Sequence, residues 1–429
     1  MRSKFRVFFT FAYEMKHYNI ETLSNGLRLI HLKSPSPVVY CGIGIAAGSR
    51  HETAGEEGVA HFCEHMSFKG TRHRSAIQIL NCLERVGGDL NAFTNKEDTT
   101  FYAAVQKEHF SRAVDLLMDI VFCSQYPQHE VEREVDVICD EIESYNDSPA
   151  ELIYDVFENQ LFNGHPLGHN ILGTREKVKQ FTSQHALNFV NRYYRPDNAI
   201  FFVYGDIDFS RLVKSLEVKG ERLEVREYRQ PQNQQPDIPL TSHPASLNSQ
   251  LSSLNSSHHQ AHVMLGCQSF SYDDHRRMPL YLLNNILGGP GMNARLNLKL
   301  REQYGLVYTV ESAMASYSDT GVWSVYFGCD HHDVNRCIRL VNRELDRMMQ
   351  APLSARQLAA AKRQLKGQLT IAADNREQFA LDTAKHFLHS GKEHSLEELT
   401  ALIDAITASQ VQDVAQQLFA PEHMQQLIL

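Results

Sequence analysis

The sequence predicts an α+β protein of two related domains, each an antiparallel-rich sheet packed against helices. Two observations carry this expectation. Apolar runs of strand and helix periodicity follow the order strand, helix, strands, helices, and that order starts again after residue 260 at similar length. Between the two series lies a stretch, residues 229–260, rich in Gln, Asn, Ser and Pro and almost free of large apolar groups. Such a stretch buries too little surface to offset its ordering entropy, so it reads as an interdomain linker. The 429 residues thus divide into an N-terminal extension (1–14), a first domain (15–228), the linker (229–260) and a second domain (261–429).

The elements follow in order. Asn25-Gly26 between alternating runs predicts a hairpin. Residues 38–47 form a buried strand. Residues 57–67 form a helix with Val59, Ala60, Phe62 and Met66 as its apolar positions, and 76–86 a second helix stopped at Gly87-Gly88. Residues 99–106 are a strand, 108–123 and 129–145 are helices, and 198–207 is a strand. In the second series, 261–270 is a strand and MPLYLLNNIL an apolar helix. Residues 305–315 and 320–329 make a hairpin turned at Ser318-Asp319-Thr320-Gly321, and helices follow near 332–350, 354–371 and 376–390.

A net charge of −9 excludes a broad nucleic-acid surface, and no apolar run reaches the roughly 20 residues of a membrane helix. The eight cysteines include no CxxC pair and several lie in apolar runs, so free, mostly buried thiols in a reducing compartment are expected. That points to the cytoplasm. Residues 1–14 carry Arg2, Lys4 and Arg6 before a short apolar run, but no small-x-small cleavage site follows; acting as a signal, they would direct the chain to the periplasm.

The segment that carries chemistry is His61-Phe62-Cys63-Glu64-His65. On a helix, positions i and i+4 share a face, so His61 and His65 can reach one Zn²⁺ while Glu64 holds a water without binding the metal. The bland alternative is a helix with two surface histidines. The small and apolar flank Gly58-Val59-Ala60 and Met66 argues against it, because a buried unpaired Glu is costly. A catalytic zinc takes three protein ligands and leaves a position for water. The segment EREVDVICDEIESY offers Glu132, Glu134, Glu141 and Glu143. Glu134 and Glu141, two helical turns apart, share a face: one to bind, the other to orient a ligand. His258 and His259 read as solvated linker residues, and Asp330-His331-His332-Asp333 as a helix start with Asp at the N-cap. Pro166 and Gly168 deny His165 and His169 the helix that a ligand pair at that spacing requires. Cys63 reads as an inert packed residue, and Gly288-Gly289-Pro290-Gly291 as a glycine turn near a substrate channel.

From about Met15 onward the chain resembles the pitrilysin (insulinase) family of metallopeptidases. The likeness is to its half-length branch, which includes the processing peptidase of mitochondria and its bacterial relatives. The segments that carry the resemblance are GSRHETAGEEGVAHFCEHMSFKGT (48–71), GGDLNAFTNKEDTTFY (87–102), EREVDVICDEI (132–142), HPLGHNILGT (165–174) and LGGPGMNARLNLKLREQYGLVYTV (287–310). The resemblance implies half of a clamshell peptidase, with one zinc per chain held by His61, His65 and Glu141. It implies Glu64 as general base and Glu134 as the supporting carboxylate. It also implies Arg301 and Tyr308 as a pair reaching the substrate, and Asn91, Ala92 and Phe93 as the edge strand on which a peptide lies. In the family the Arg-Tyr pair faces the zinc of the opposite half. The second half here has no HxxEH, so the expectation is a homodimer with sites completed in trans, or a heterodimer with a zinc-free homologous subunit. The expected function is a zinc endopeptidase or oligopeptidase acting on unfolded peptides or presequences; the alternative is a non-catalytic core or assembly subunit of the same fold.

Overall fold

The computed structural model describes residues 18–222, 260–393 and 395–429. The proposed N-terminal extension, the linker except Gln260, and His258 and His259 lie outside the described residues.

The first sheet has six strands: β1 (Tyr18–Thr22), β2 (Arg28–Leu32), β3 (Val38–Ile45), β4 (Asp89–Thr94), β5 (Thr99–Gln106) and β6 (Ala199–Tyr204). Their spatial order is β1-β2-β6-β3-β5-β4, with β2 and β6 parallel and the other neighbours antiparallel. The Asn25-Gly26 hairpin forms, but with a five-residue loop. Leu23 and Leu27 are buried inside that loop rather than in the strands, Asn25 accepts a hydrogen bond from the Leu27 N–H, and Gly26 takes φ 87°. Burial of two leucines set the register here, not the dipeptide alone.

On one face of this sheet lie α1 (Val59–Met66), α2 (Ala76–Glu84), α3 (Phe110–Phe122), α4 (Gln128–Asn146) and α7 (Ser183–Tyr193), around a core that includes Ile43, Phe62, Phe101, Leu116 and Phe189. Two further helices, α5 (Pro149–Leu161) and α6 (Arg175–Val178), precede α7, and α8 (Phe209–Arg222) follows β6.

The second sheet has four antiparallel strands, β7 (Ala261–Ser269), β8 (Val307–Ser316), β9 (Gly321–Cys329) and β10 (Gln425–Ile428), in the order β10-β7-β9-β8. It packs around Trp323 with α9 (Arg277–Gly288), α10 (Val334–Gln350), α11 (Ala355–Ala372), α13 (Leu396–Ala405) and α14 (Ala408–Leu418). A π-helical turn, Asn297–Gln303, leads into β8.

The two halves exchange helices. α5, from the first half, lays Ile153, Val156 and Phe157 against Met264, Val322 and Leu427 of the second sheet. α12 (Arg376–Ser390), from the second half, lays Ala380, Ala384 and Phe387 against Ile30, Ile200 and Phe202 of the first. Each sheet thus has one face closed by the other half. A polar contact adds to this: Arg50 pairs with both Glu97 and Asp319, the latter in the β8–β9 turn.

All eight cysteines are free thiols and six are buried, Cys63 among them. Cys63 Sγ lies 3.7 Å from the Ala186 carbonyl, and burial raises its pKa well above the ordinary thiol range, away from reactivity. No described helix is long and apolar enough to cross a membrane.

Candidate metal centre

α1 is amphipathic in a way that dictates the site. Val59, Ala60, Phe62, Cys63 and Met66 are fully buried, which fixes the helix against the core, turns His61 and His65 toward α4 and sets Glu64 against Thr94 of β4. The rings of His61 and His65 have centroids 4.5 Å apart. Across from them, Glu141 of α4 places its carboxylate 3.8 Å from His61 Nε2 and 3.5 Å from His65 Nε2. The ligand atoms of His61, His65 and Glu141 all lie within 4.8 Å of one another.

Two turns earlier on the same face of α4, buried Glu134 takes a different part. Its Oε1 is 2.9 Å from His65 Nδ1 and its Oε2 is 2.5 Å from Lys69 Nζ. Of the four glutamates in that segment, Glu141 therefore faces both Nε2 atoms and Glu134 braces the back of one ring. Glu132 and Glu143 take no part in the cluster; Glu143 pairs with Arg175.

Electrostatics separate the two histidines. Burial, and then the neighbouring His65, hold His61 down to about 3, so it is neutral at pH 7 with a lone pair free. Burial also pulls His65 down, but Glu134, Glu141 and Glu64 outweigh it and raise its pKa. Glu64 is buried and outside the three-residue cluster; burial raises its pKa against the lowering effect of Thr94, whose hydroxyl donates to Oε2 at 2.6 Å.

The donor set fits a zinc ion. His61 Nδ1 is buried with no hydrogen-bond partner among the described residues, and Nε2 is too far from Glu141 for a hydrogen bond. A neutral imidazole held this way, beside a second imidazole and a carboxylate, is the N,N,O set that zinc takes.

Asn91, Ala92 and Phe93 lie on β4, which among the described residues pairs with β5 alone and so leaves one edge open. Thr94 ends this strand and reaches Glu64, joining the open edge to α1. Arg301 and Tyr308 are brought together, the guanidinium 5.5 Å from the ring centroid, but not onto the metal cluster. They line a cavity of about 560 Å³ with Asn285, Gly289, Pro290 and Gly291, and none of His61, Glu64, His65 or Glu141 borders it. Tyr308 is 79% exposed.

The rejected clusters also resolve. His165 and His169 sit in a loop and contact Asp319 and Glu52 respectively. Asp330 occupies the N-cap position of a 3-10 turn, but its side chain makes no capping bond; the turn runs straight on into α10, whose own N-cap is Asp333. Sequence reading passed over Thr94, Lys69 and Glu52, and weighed His169 only as a metal ligand. Thr94 had a usable signal, since alternation along β4 puts it on the same face as Ala92.

A mixed sheet-and-helix fold with a two-histidine, one-carboxylate cluster beside a buried glutamate defines a protein of the inverted-zincin class. The chain belongs to the insulinase family, peptidase family M16: that family model matches residues 28–175, and the model for the M16 inactive domain matches residues 180–365. It is 32% identical to the uncharacterized zinc protease YmxG of Bacillus subtilis, over 95% of this chain and 97% of that one. It is 31% identical to an uncharacterized zinc protease of Rickettsia bellii, over 94% and 96%. Among solved structures, a protease from Helicobacter pylori aligns with a TM-score of 0.84 at 20% identity, over 96% of this chain and 99% of that one. A peptidase M16 inactive domain from Pseudomonas fluorescens gives 0.82 at 18%, over 96% and 97%. At these identities the structures speak to fold alone.

Proposed function

We propose that this chain is a zinc metalloendopeptidase that hydrolyses unfolded peptides or presequences. The observation that supports it most is the convergence of His61, His65 and Glu141 with Glu64 poised beside them and tied through Thr94 to an open strand edge. His61, His65 and Glu141 would hold the ion, and Glu134 orients His65. Zinc supplies Lewis acidity that lowers the pKa of water and polarises a carbonyl. An extended peptide adds to β4 along Asn91, Ala92 and Phe93 by main-chain hydrogen bonds, which keeps side-chain selectivity loose. Glu64 takes the proton from the attacking water and delivers it to the leaving amine.

Arg301 and Tyr308 contribute donors to the bound peptide and its developing oxyanion. The metal residues of the same chain do not border their cavity, which supports a second subunit as the source of the pair. A homodimer is the simpler arrangement because one chain carries both sets; a zinc-free homologous partner is the alternative.

The test compares wild type with Glu64→Gln, measuring zinc by elemental analysis and cleavage of an unstructured peptide mixture by mass spectrometry. About one zinc per chain in both, with cleavage reduced at least ~100-fold in the variant, is the expected result. Wild type that holds zinc and cuts nothing would support the assembly-subunit alternative. Wild type that takes up no added zinc would overturn the reading.

A further inference from the structure

Several contacts outside the metal cluster meet at the loop 165–173. His169 Nε2 lies 2.9 Å from Glu52 Oε2, and the Glu52 side chain has no exposed surface. The two oxygens of Glu52 accept from Gly58 N at 2.9 Å and Ala60 N at 2.8 Å, the opening donors of α1 that no turn of the helix itself satisfies. The backbone of the same loop serves another element. Buried Lys96, in the β4–β5 turn, donates its Nζ to the carbonyls of Leu167, at 3.2 Å, and of His169.

A third contact is steric. A Cβ on Gly58 would fall 2.7 Å from the Leu172 oxygen, and one on Gly173 would fall 2.3 Å from the Glu57 oxygen. Gly58 also has φ 99°, so the start of α1 and this loop meet backbone to backbone.

We infer that His169 is a positioning residue: its ring holds the capped start of the metal helix, and its carbonyl holds the turn of the peptide-binding strand. The assignment of those two elements rests on the function proposed above. A carboxylate buried at a helix start is held by every donor it has, and the imidazole N–H is the one that joins it to the loop 165–173. Without the ring, the two oxygens keep Gly58 N and Ala60 N, but the carboxylate loses its tie to the loop 165–173, and α1 loses that part of its fixed relation to β4. Peptide hydrolysis depends on that relation, because Glu64 rides on α1 and the scissile bond on β4.

The test uses His169→Leu, which removes the donor, and His169→Gln, which keeps an N–H near the imidazole Nε2. Hydrogen exchange on metal-free protein reads the two elements directly. In His169→Leu, exchange rises together in residues 59–66 and 89–94, with β1 and β2 unchanged. Zinc affinity, read by chelator competition, falls about 10–100-fold and kcat falls alike while KM stays within about threefold. His169→Gln restores all three. A merely structural role would lower the melting temperature without that paired pattern or that rescue. Unchanged exchange and zinc affinity in His169→Leu, or no rescue by Gln, would overturn the inference. Should His169→Leu fail to fold, Lys96→Met reads the other arm, with the same paired exchange expected and unchanged exchange overturning it. A wild type that cuts no peptide, together with paired exchange in His169→Leu, would retire the peptidase proposal and keep the positioning role.

Discussion

Thr94 donates its hydroxyl to Glu64 Oε2 across 2.6 Å, so a hydrogen bond joins the strand edge to the metal helix. The bond fixes one carboxylate oxygen and leaves the other for water. Thr94→Val keeps the shape and removes the donor. We expect kcat to fall about tenfold, in line with loss of one hydrogen bond to a charged group, with zinc content unchanged. Steady-state kinetics beside elemental analysis check this; a variant as active as wild type would show that Glu64 needs no such anchor.

Glu134 bonds His65 on one oxygen and Lys69 on the other, and these two partners hold it below the ordinary carboxylate range despite burial. Replacing it with Gln removes the charge that braces the imidazole. Zinc affinity should drop about 10–100-fold, measured by chelator competition. An affinity equal to wild type would assign Glu134 to folding alone.

How much of this was legible in sequence depended on whether the information was local. The strand 99–106 came out with its observed limits, because TTFYAAVQ is a short apolar run rich in β-formers. The His61–His65 pair needed only helical spacing. The choice between Glu134 and Glu141 did not follow from helical spacing, since both share a face; the family resemblance supplied it, and its physical reason is how far along α4 the metal helix crosses. Glu52 was invisible for a similar reason. A lone glutamate in a turn has no pattern, and its partners, Gly58, Ala60 and His169, are defined only by the folded loop. The helix exchange was likewise hidden, because an apolar stripe on α5 or α12 does not say which sheet it covers.

Subunit completion can be read by complementation. Glu64→Gln and Tyr308→Phe should each be inactive alone. Mixed and allowed to exchange subunits, they should recover about a quarter of wild-type activity, since half the dimers are mixed and each has one intact site. No recovery after verified exchange would place Tyr308 in cis or outside the reaction. Tyr308 is exposed, so its substitution should leave the melting temperature unchanged.

Asp98 supplies a pH-dependent tie between the halves. Burial alone would raise its pKa, but His389 and Lys385 of α12, with Asn95, hold it down to about 2 from 3.8. A carboxyl depressed on folding stabilises the protein above its unfolded pKa, and that stability is lost as pH falls from about 4 toward 2. At neutral pH Asp98→Asn should cost ~2 kcal/mol by denaturant titration. The gap to wild type should close below about pH 2; a constant gap across that window would assign the loss to packing.

Because α5 closes the second sheet and α12 the first, the chain is interlocked in a way that does not depend on the peptide link between Arg222 and Gln260. Two separately expressed pieces, 1–222 and 260–429, each present a bare apolar face that only the other covers. Such pieces would be obligate partners, insoluble alone and reconstituting when co-expressed. A nick between them would leave the assembly standing, and in the proposed dimer a peptide chamber would open between chains rather than within one.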